Sequence, residues 1–425
     1  MTIRFVRVLV LLITASQAAS AQQTLDLAEV YRRAVSSPAV SAAAALATAA
    51  ESRISSARRP PDPELQLGFM NRELPSLAPM DPLGMTQIQV MQMIPAPGKL
   101  RLAGRAAGQS AAAVRARAVD VLWDTRARAA MAFYDLHVAD SQLTIARQTK
   151  SLVQNIARTS QTMYSVGEGR QVDVLRAQVE VARMSEEVAR MESMRAAMEG
   201  RLAAILDLPA GTAIGRTILP PLPDSLPTLA SLMEDAGRTR PMIAAGEREV
   251  AAATTNEQLA RREIWPDLQI GLQYGWRGSD MGTERMASLM IGAAIPVHAR
   301  SRQLRMRDEA AAMKAMTVAE VAAMRAETRG RMTELYASYT KARNLVALYA
   351  TTVIPQAEGA VTASFTAYRL GSVDFMTLLD NQMSVNGYRQ QLVSLYAEQG
   401  KAIAEIEMLL GRQLFDPSPA ARTVR

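Results

Sequence analysis

The sequence predicts a mainly α-helical protein with a small β part, built from one unit present twice. Three observations carry that expectation. Pro63-Glu64-Leu65-Gln66-Leu67-Gly68-Phe69 returns 203 residues later as Pro266-Asp267-Leu268-Gln269-Ile270-Gly271-Leu272. Each copy holds two short segments in which apolar and polar residues alternate. Each copy then runs into helical stretches too long for a globular core. Further markers keep the same order in both copies. Ser37-Pro38 matches Arg240-Pro241, and Ile94-Pro95 matches Ile295-Pro296. Tyr164-Ser165-Val166-Gly167 matches Tyr368-Arg369-Leu370-Gly371, Leu175 and Gln178 match Leu379 and Gln382, and Ile205-Leu206 matches Leu409-Leu410. A period this long marks a duplicated domain-sized element, not a solenoid.

The order along the chain follows. Residues 1–21 read as a signal peptide: Arg4 and Arg7 make the positive start, Val8 to Ile13 the apolar core, and Ala19-Ser20-Ala21 the cleavage site. The apolar run is too short to anchor in a bilayer core of ~30 Å, and no later run of apolar residues is long enough. Residues 22–208 form the first repeat, 209–228 a proline-rich linker or equatorial segment with Pro220-Pro221-Leu222-Pro223, 229–414 the second repeat, and 415–425 a disordered tail.

In each repeat the expected order is helix, strand, strand, long helix, long helix. The first helix runs from about Leu25 to Arg58, with Asp26 and Glu29 complementing the dipole at its start. Its counterpart spans about Leu229 to Glu263. The strands are clearest in the second copy. Leu268, Ile270, Leu272, Tyr274 and Trp276 alternate with Gln269, Gly271, Gln273 and Gly275. That is the length of a membrane-crossing barrel strand, and it ends in aromatics suited to a head-group interface. Its partner is Ala287 to Ile295, after a loop from Arg277 to Arg285. The first copy has Glu64 to Phe69 and about Thr86 to Ile94, joined by Asn71 to Gly84. A soluble sandwich strand alternates in the same way. Four strands set as two isolated hairpins, however, are marginal in water. In a membrane they must belong to a closed barrel, and four are too few to close one, so several copies must contribute.

After each hairpin comes a very long helix. Gly98 to about Tyr164 contains no proline and spans roughly 100 Å at 1.5 Å per residue. Arg300 to about Tyr368 is interrupted only by Pro355. Each turns at glycine and returns, with coiled-coil-like apolar spacing.

At this point the chain resembles the TolC-type outer-membrane efflux proteins. The resemblance rests on both P-[DE]-L-Q-[LI]-G strand entries, both Y-x-x-G…L-x-x-Q helical turns, and Ile94-Pro95-Ala96-Pro97-Gly98-Lys99. The last motif is most similar to the branch serving Czc- and Cus-type cation pumps. The resemblance implies a homotrimer in which three chains give twelve strands in one outer-membrane β-barrel, above a helical coiled-coil barrel crossing the periplasm of a Gram-negative bacterium. It implies a periplasmic adaptor and an inner-membrane pump of the RND type as partners. It makes Val166, Gly167, Glu168, Gly169, Leu370, Gly371 and Ser372 adaptor-contact tips. It makes Asp380 a candidate gate residue, with Thr377 where some members carry a second Asp, and Asp173 and Arg176 at the equivalent places of the first half. The alternative for Asp380 is an ordinary solvated helix residue, and Asp374 equally fits a helix cap. Tyr274 and Trp276 become the membrane-interface aromatics facing outer-membrane lipid.

Composition removes other classes. No cysteine excludes disulfides, thiolate metal sites, a cysteine nucleophile and a lipid-bearing N-terminal cysteine. The net charge of +7 is interspersed with acids along helices, which fits solvated helix faces. Aromatics at 4% are too few for nucleic-acid stacking platforms. The two histidines, His137 and His298, show no paired ligand spacing, and no catalytic or nucleotide-binding motif appears, so no cofactor, metal site or enzyme activity is expected. The 25 methionines, Met85, Met91 and Met93 among them, admit a copper reading through their thioethers, but scattered core filling accounts for them better. The expected function is a passive outer-membrane exit duct for metal cations or small toxic compounds. The alternatives are a periplasmic coiled-coil scaffold or adaptor, and an exit duct for type I protein secretion.

Overall fold

The computed structural model describes residues 24–76, 78–80, 84–209, 211–279 and 282–418. The expected signal peptide lies outside them. The described part starts with a two-residue strand β1 (Leu25–Asp26), then α1 (Leu27–Val35) and α2 (Pro38–Ala57). One continuous helix was expected here, and the chain breaks it at Ser36-Ser37. Ser37 caps α2 by accepting from the Val40 amide at 3.5 Å, and Pro38 occupies the first turn. Proline has no N–H to donate to an earlier turn and disfavours helix before it, so a helix can start there but not pass through. The second copy repeats the break at Arg240-Pro241, between α5 (Leu229–Thr239) and α6 (Pro241–Arg262).

The strands are β2 (Glu64–Met70), β3 (Met85–Ile94), β5 (Leu268–Ser279) and β6 (Gly282–Ala293). They form one antiparallel sheet in the order β2-β3-β5-β6. The two hairpins are therefore not isolated: β3 pairs with β5, with Ile94 opposite Leu268 and Thr86 opposite Trp276. The second hairpin is longer than expected, since Arg277 opposite Glu284 and Trp276 opposite Arg285 belong to the ladder. An ion pair between Arg277 and Glu284 holds that extension.

Helix α3 (Lys99–Ser165) is 67 residues long, and α4 (Gln171–Ile205) returns beside it. Buried Ala106, Ala111, Ala113, Ala127, Ala129, Ala130 and Ala132 let its neighbours approach closely. In the second copy α7 (Gln303–Leu348) continues through a π-helical turn, Tyr349–Val353, into α8 (Ile354–Arg369), and α9 (Phe375–Leu410) returns. Pro355 sits in the first turn after the π segment, so the helix absorbs it without ending. The segment between the copies takes part in the fold. Its strand β4 (Thr217–Ile218) pairs in parallel with β1. At the chain end, Phe415 packs against the core and Pro417 is buried, where a free tail was expected. Residues 419–425 lie outside the described part.

The main core sits midway along α3. Phe133, Tyr134 and Leu136 are fully buried with Tyr31, Leu202 and Ala404. Each such large side chain contributes about 1.5–3 kcal/mol by leaving water.

Candidate functional site

Three places position the chemistry: the sheet, its junction with the helices, and the helical tips. The sheet has two unlike faces. On one, the rows Leu65–Val90–Leu272–Leu289 and Leu67–Ile88–Tyr274–Ala287 run across all four strands. Leu65, Leu67, Phe69, Leu272, Leu289 and Ile291 are all exposed on it. Tyr274 and Trp276 lie on this face, with ring centroids 6.1 Å apart. On the other face the row is Gln66–Gln89–Gln273–Ser288, and Gln273 donates to Gln87. The methionines of this face fill space over glycines. Met91 and Met290 flank Gly271, and Met85 packs over Gly275. Among the described residues no group of three or more His, Asp and Glu is placed to hold a metal ion. His137 is half-buried, with Nδ1 at 2.9 Å from Thr217 Oγ1 and Nε2 at 3.3 Å from Ser141 Oγ. Burial lowers its pKa, so the ring stays neutral in a packed network.

At the junction Lys99 is 6% exposed and its Nζ lies 2.9 Å from Asp267 Oδ1 and 3.1 Å from Glu263 Oε2. The Ala96 amide also donates to Asp267 Oδ1, at 2.7 Å. The start of α3 is thereby tied to the start of β5. Sequence reading missed this pair, although Lys99 and Asp267 stand inside two of the motifs it singled out.

The tips are two tight helical turns. Val166 ends α3, Gly167 takes φ +82°, and the Glu168 and Gly169 amides both donate to Met163 O at 2.9 Å. Leu370 ends α8, Gly371 takes φ +71°, and the Ser372 amide donates to Ala367 O at 3.0 Å. The left-handed conformation disfavours a Cβ, which explains why both copies turn at glycine. Val166 and Leu370 stand out as exposed apolar side chains, and Glu168 and Ser372 are exposed beside them.

Behind the tips, Asp374 caps α9. Its Oδ1 accepts from the Thr377 amide at 3.1 Å and from Thr377 Oγ1. Those bonds from Thr377 hold the Asp374 carboxyl below the usual range. Asp380 is exposed one turn further on, and Thr377 is exposed but engaged with Asp374. Asp173 is buried in the first turn of α4 and pairs with Arg170 at 3.5 Å; Arg176 is exposed. The ion pair that Asp173 makes within the chain thus runs to Arg170, not to Arg176. Sequence reading also missed the buried bond between Ser160 Oγ and Tyr368 OH at 2.7 Å, which joins α3 to α8.

The sequence matches the outer membrane efflux protein family over residues 30–207 and again over 232–412. The chain belongs to that family. Its two matches fall on the two repeats. The fold agrees with those of solved outer-membrane proteins. CusC is 15% identical with a TM-score of 0.76, covering 92% of this chain and 93% of its own. VceC of Vibrio cholerae is 17% identical with a TM-score of 0.75, covering 91% and 96%. MtrE of Neisseria gonorrhoeae, solved in its open state, is 15% identical with a TM-score of 0.73, covering 91% and 89%. No curated protein matches the sequence. An outer membrane efflux protein is a passive channel, not an enzyme. It lies in the outer membrane and extends into the periplasm. Family members form trimers and work with periplasmic adaptors and inner-membrane pumps. Among the described residues no helix is long and apolar enough to cross a membrane.

Proposed function

We propose that this chain forms a homotrimeric exit duct, its sheets closing one twelve-stranded barrel and its long helices lining a tunnel into the periplasm. The two-faced sheet carries the reading. Its apolar face is exposed, its other face bears a glutamine row, and β2 and β6 stand at its edges. An open edge in lipid leaves backbone N–H and C=O groups without partners, so the sheet must close with other sheets. Four strands are too few to do so alone.

In this reading Tyr274 and Trp276 sit at the head groups of outer-membrane lipid. The tips from Val166 to Gly169 and from Leu370 to Ser372 meet the periplasmic adaptor, and an RND-type pump supplies the energy. Threefold copies of Asp380 make an acidic constriction that attracts cations, with Thr377, Asp173 and Arg176 beside it. The cargo is metal cations or small toxic compounds. The test is to separate the inner membrane, outer membrane and soluble periplasm and record conductance of the purified protein in a planar bilayer. Protein confined to the soluble periplasm sinks the duct and favours a coiled-coil scaffold. Growth of a strain lacking the chain across copper, silver, zinc, cobalt and amphiphilic drugs then assigns the cargo class.

A further inference from the structure

The chain crosses between sheet and helices four times, always at the same end of the sheet: residues 58–63, 95–98, 263–267 and 294–302. With the first two turns of α3, these crossings carry six arginines: Arg58, Arg59, Arg101, Arg105, Arg300 and Arg302. All six are exposed. Acids in the same stretches are few. Lys99 takes Glu263 and Asp267, which leaves Asp62. Elsewhere on the helices arginines are answered by acids, Arg128 by Asp124, Arg147 by Glu192 and Arg183 by Glu180. None of the six makes an ion pair among the described residues. Unanswered guanidinium groups gathered at one level attract anions.

Three of the six share a groove between α2 and α3. Arg58, Arg101 and Arg105 line it with Leu100, Gly104 and Gly108, and it encloses about 630 Å³. The glycines make the room. Any Cβ on Gly104 would collide with the Arg58 stem, and nothing stands within 4 Å of the place a Cβ would take on Gly108.

The groove faces away from the passage. At 3.6 residues per turn, Trp123 lies on the same face of α3 as Arg105, about five turns on. Arg126 lies 4.5 Å over Trp123 and 4.2 Å over Tyr31 of α1, so α1 is laid against this face. A layer that lines a passage carries such an added segment on its outside, where the passage stays clear.

The height fits as well. Arg101 and Arg105 lie about 3 Å and about 9 Å along α3 from its start at the sheet. Helix side chains lean toward the N-terminus, so both guanidinium groups lean back to the sheet. Head groups extend about 5–7 Å beyond the hydrocarbon on each side of a bilayer. Exposed Trp265 stands at this end of the sheet, as tryptophan does at a membrane interface. The hairpin turns are at the other end and the helices extend into the periplasm, so this rim belongs to the periplasm-facing leaflet.

We propose that Arg58, Arg101 and Arg105 bind the phosphate of an anionic phospholipid in that leaflet. Arg59, Arg300 and Arg302 draw the same lipid to the rim. A lipid fits better than a free anion because α2 leads directly into β2. The head group docks in the groove while its acyl chains lie along exposed Leu65 and Leu67 of β2. Arginine suits this task, since its planar fork matches two phosphate oxygens.

This inference rests on the lipid-facing sheet proposed above. The protein is expressed with its signal peptide, located by membrane fractionation and purified in neutral detergent. It is titrated with phosphatidylglycerol or phosphatidylethanolamine, and bound lipid is counted by native mass spectrometry. Phosphatidylglycerol should saturate at a fixed number per copy and bind roughly tenfold more tightly. That preference should fall as salt rises. Arg58→Gln/Arg101→Gln/Arg105→Gln should lose it while keeping the wild-type circular dichroism and outer-membrane location. Arg147→Gln/Arg183→Gln, at paired arginines, should keep it. Equal binding of the two lipids by the wild-type protein, or a preference indifferent to salt, overturns the site without any variant. An unchanged preference in the triple variant does the same. Displacement by millimolar inorganic phosphate would reveal a free-anion site and overturn the lipid. Tighter binding of lipopolysaccharide than of phosphatidylglycerol would overturn the choice of leaflet. In each of these cases protein in the outer membrane leaves the duct standing. Protein confined to the soluble periplasm overturns the duct and this site together.

Discussion

Lys99 and Asp267, one from each repeat, meet at 2.9 Å where the sheet joins the helices. The lysine is buried while Glu263 and Asp267 keep partial access to water. Lys99→Met should therefore cost about 1–3 kcal/mol by leaving two carboxylates without their cation. Thermal unfolding of the purified protein reads the loss. An unchanged midpoint would show that the junction is held by packing alone.

The two faces of the sheet should respond oppositely to charge. Leu272→Arg places a cation on the apolar face, where membrane burial costs about 2–4 kcal/mol at mid-depth. Gln273→Arg points the same charge to the polar face. The first should deplete the outer-membrane fraction and the second should not. Equal tolerance of both would remove the lipid-facing assignment.

Glu407 sets a pH dependence. It is 2% exposed, and burial raises its pKa from 4.5 to about 7, against a hydrogen bond from the Leu414 amide at 2.7 Å. Arg126 lies close by, 4.2 Å over the Tyr31 ring. An acid with a raised folded pKa binds its proton more tightly when folded. Its stabilising effect is therefore complete below about pH 4.5 and is lost as pH rises through about 7. The full swing is about 3 kcal/mol. Glu407→Gln should flatten the fall in unfolding midpoint between pH 5 and pH 8. A variant that follows the wild-type curve would place the titration elsewhere.

Tyr368 and Ser160 share a buried hydrogen bond behind the tips. Tyr368→Phe leaves the Ser160 hydroxyl without it, at about 1–2 kcal/mol. Hydrogen exchange should speed up around residues 156–166 and 364–375 and not in the sheet. Uniform change across the chain would argue against a local clasp.

Asp380 is exposed and free of the cap that engages Asp374. Asp380→Ala should reduce cation selectivity and weaken block by calcium or cobalt in bilayer recordings, and Thr377→Asp should strengthen both. If neither variant changes conductance, selectivity or block, the gate assignment falls.

Much of this molecule is written locally. The alternation of Leu268, Ile270 and Leu272 with Gln269, Gly271 and Gln273 defines the strand and its two faces, because successive side chains on a strand point to opposite sides. The proline-free run after Gly98 defines the 67-residue helix. Ser37-Pro38 is equally visible as a marker, yet the helical composition on both sides of it hides its effect, a capped restart of the helix. The glycines of the tips were legible because only a left-handed turn needs them twice at the same place.

Sequence by itself determined the duplication, the strand faces, the length of the helix after Gly98 and the lack of any thiol, since each is a property of neighbouring residues or of a count. Only the tertiary structure decided that β3 pairs with β5, that Lys99 finds Asp267, and that Leu379 is covered while Leu175 is bare. These depend on which distant segments the chain path brings together. Two repeats that share their markers carry a similar local code for that choice. A single chain contains only one junction between its halves, so one repeat is covered there and the other is left exposed.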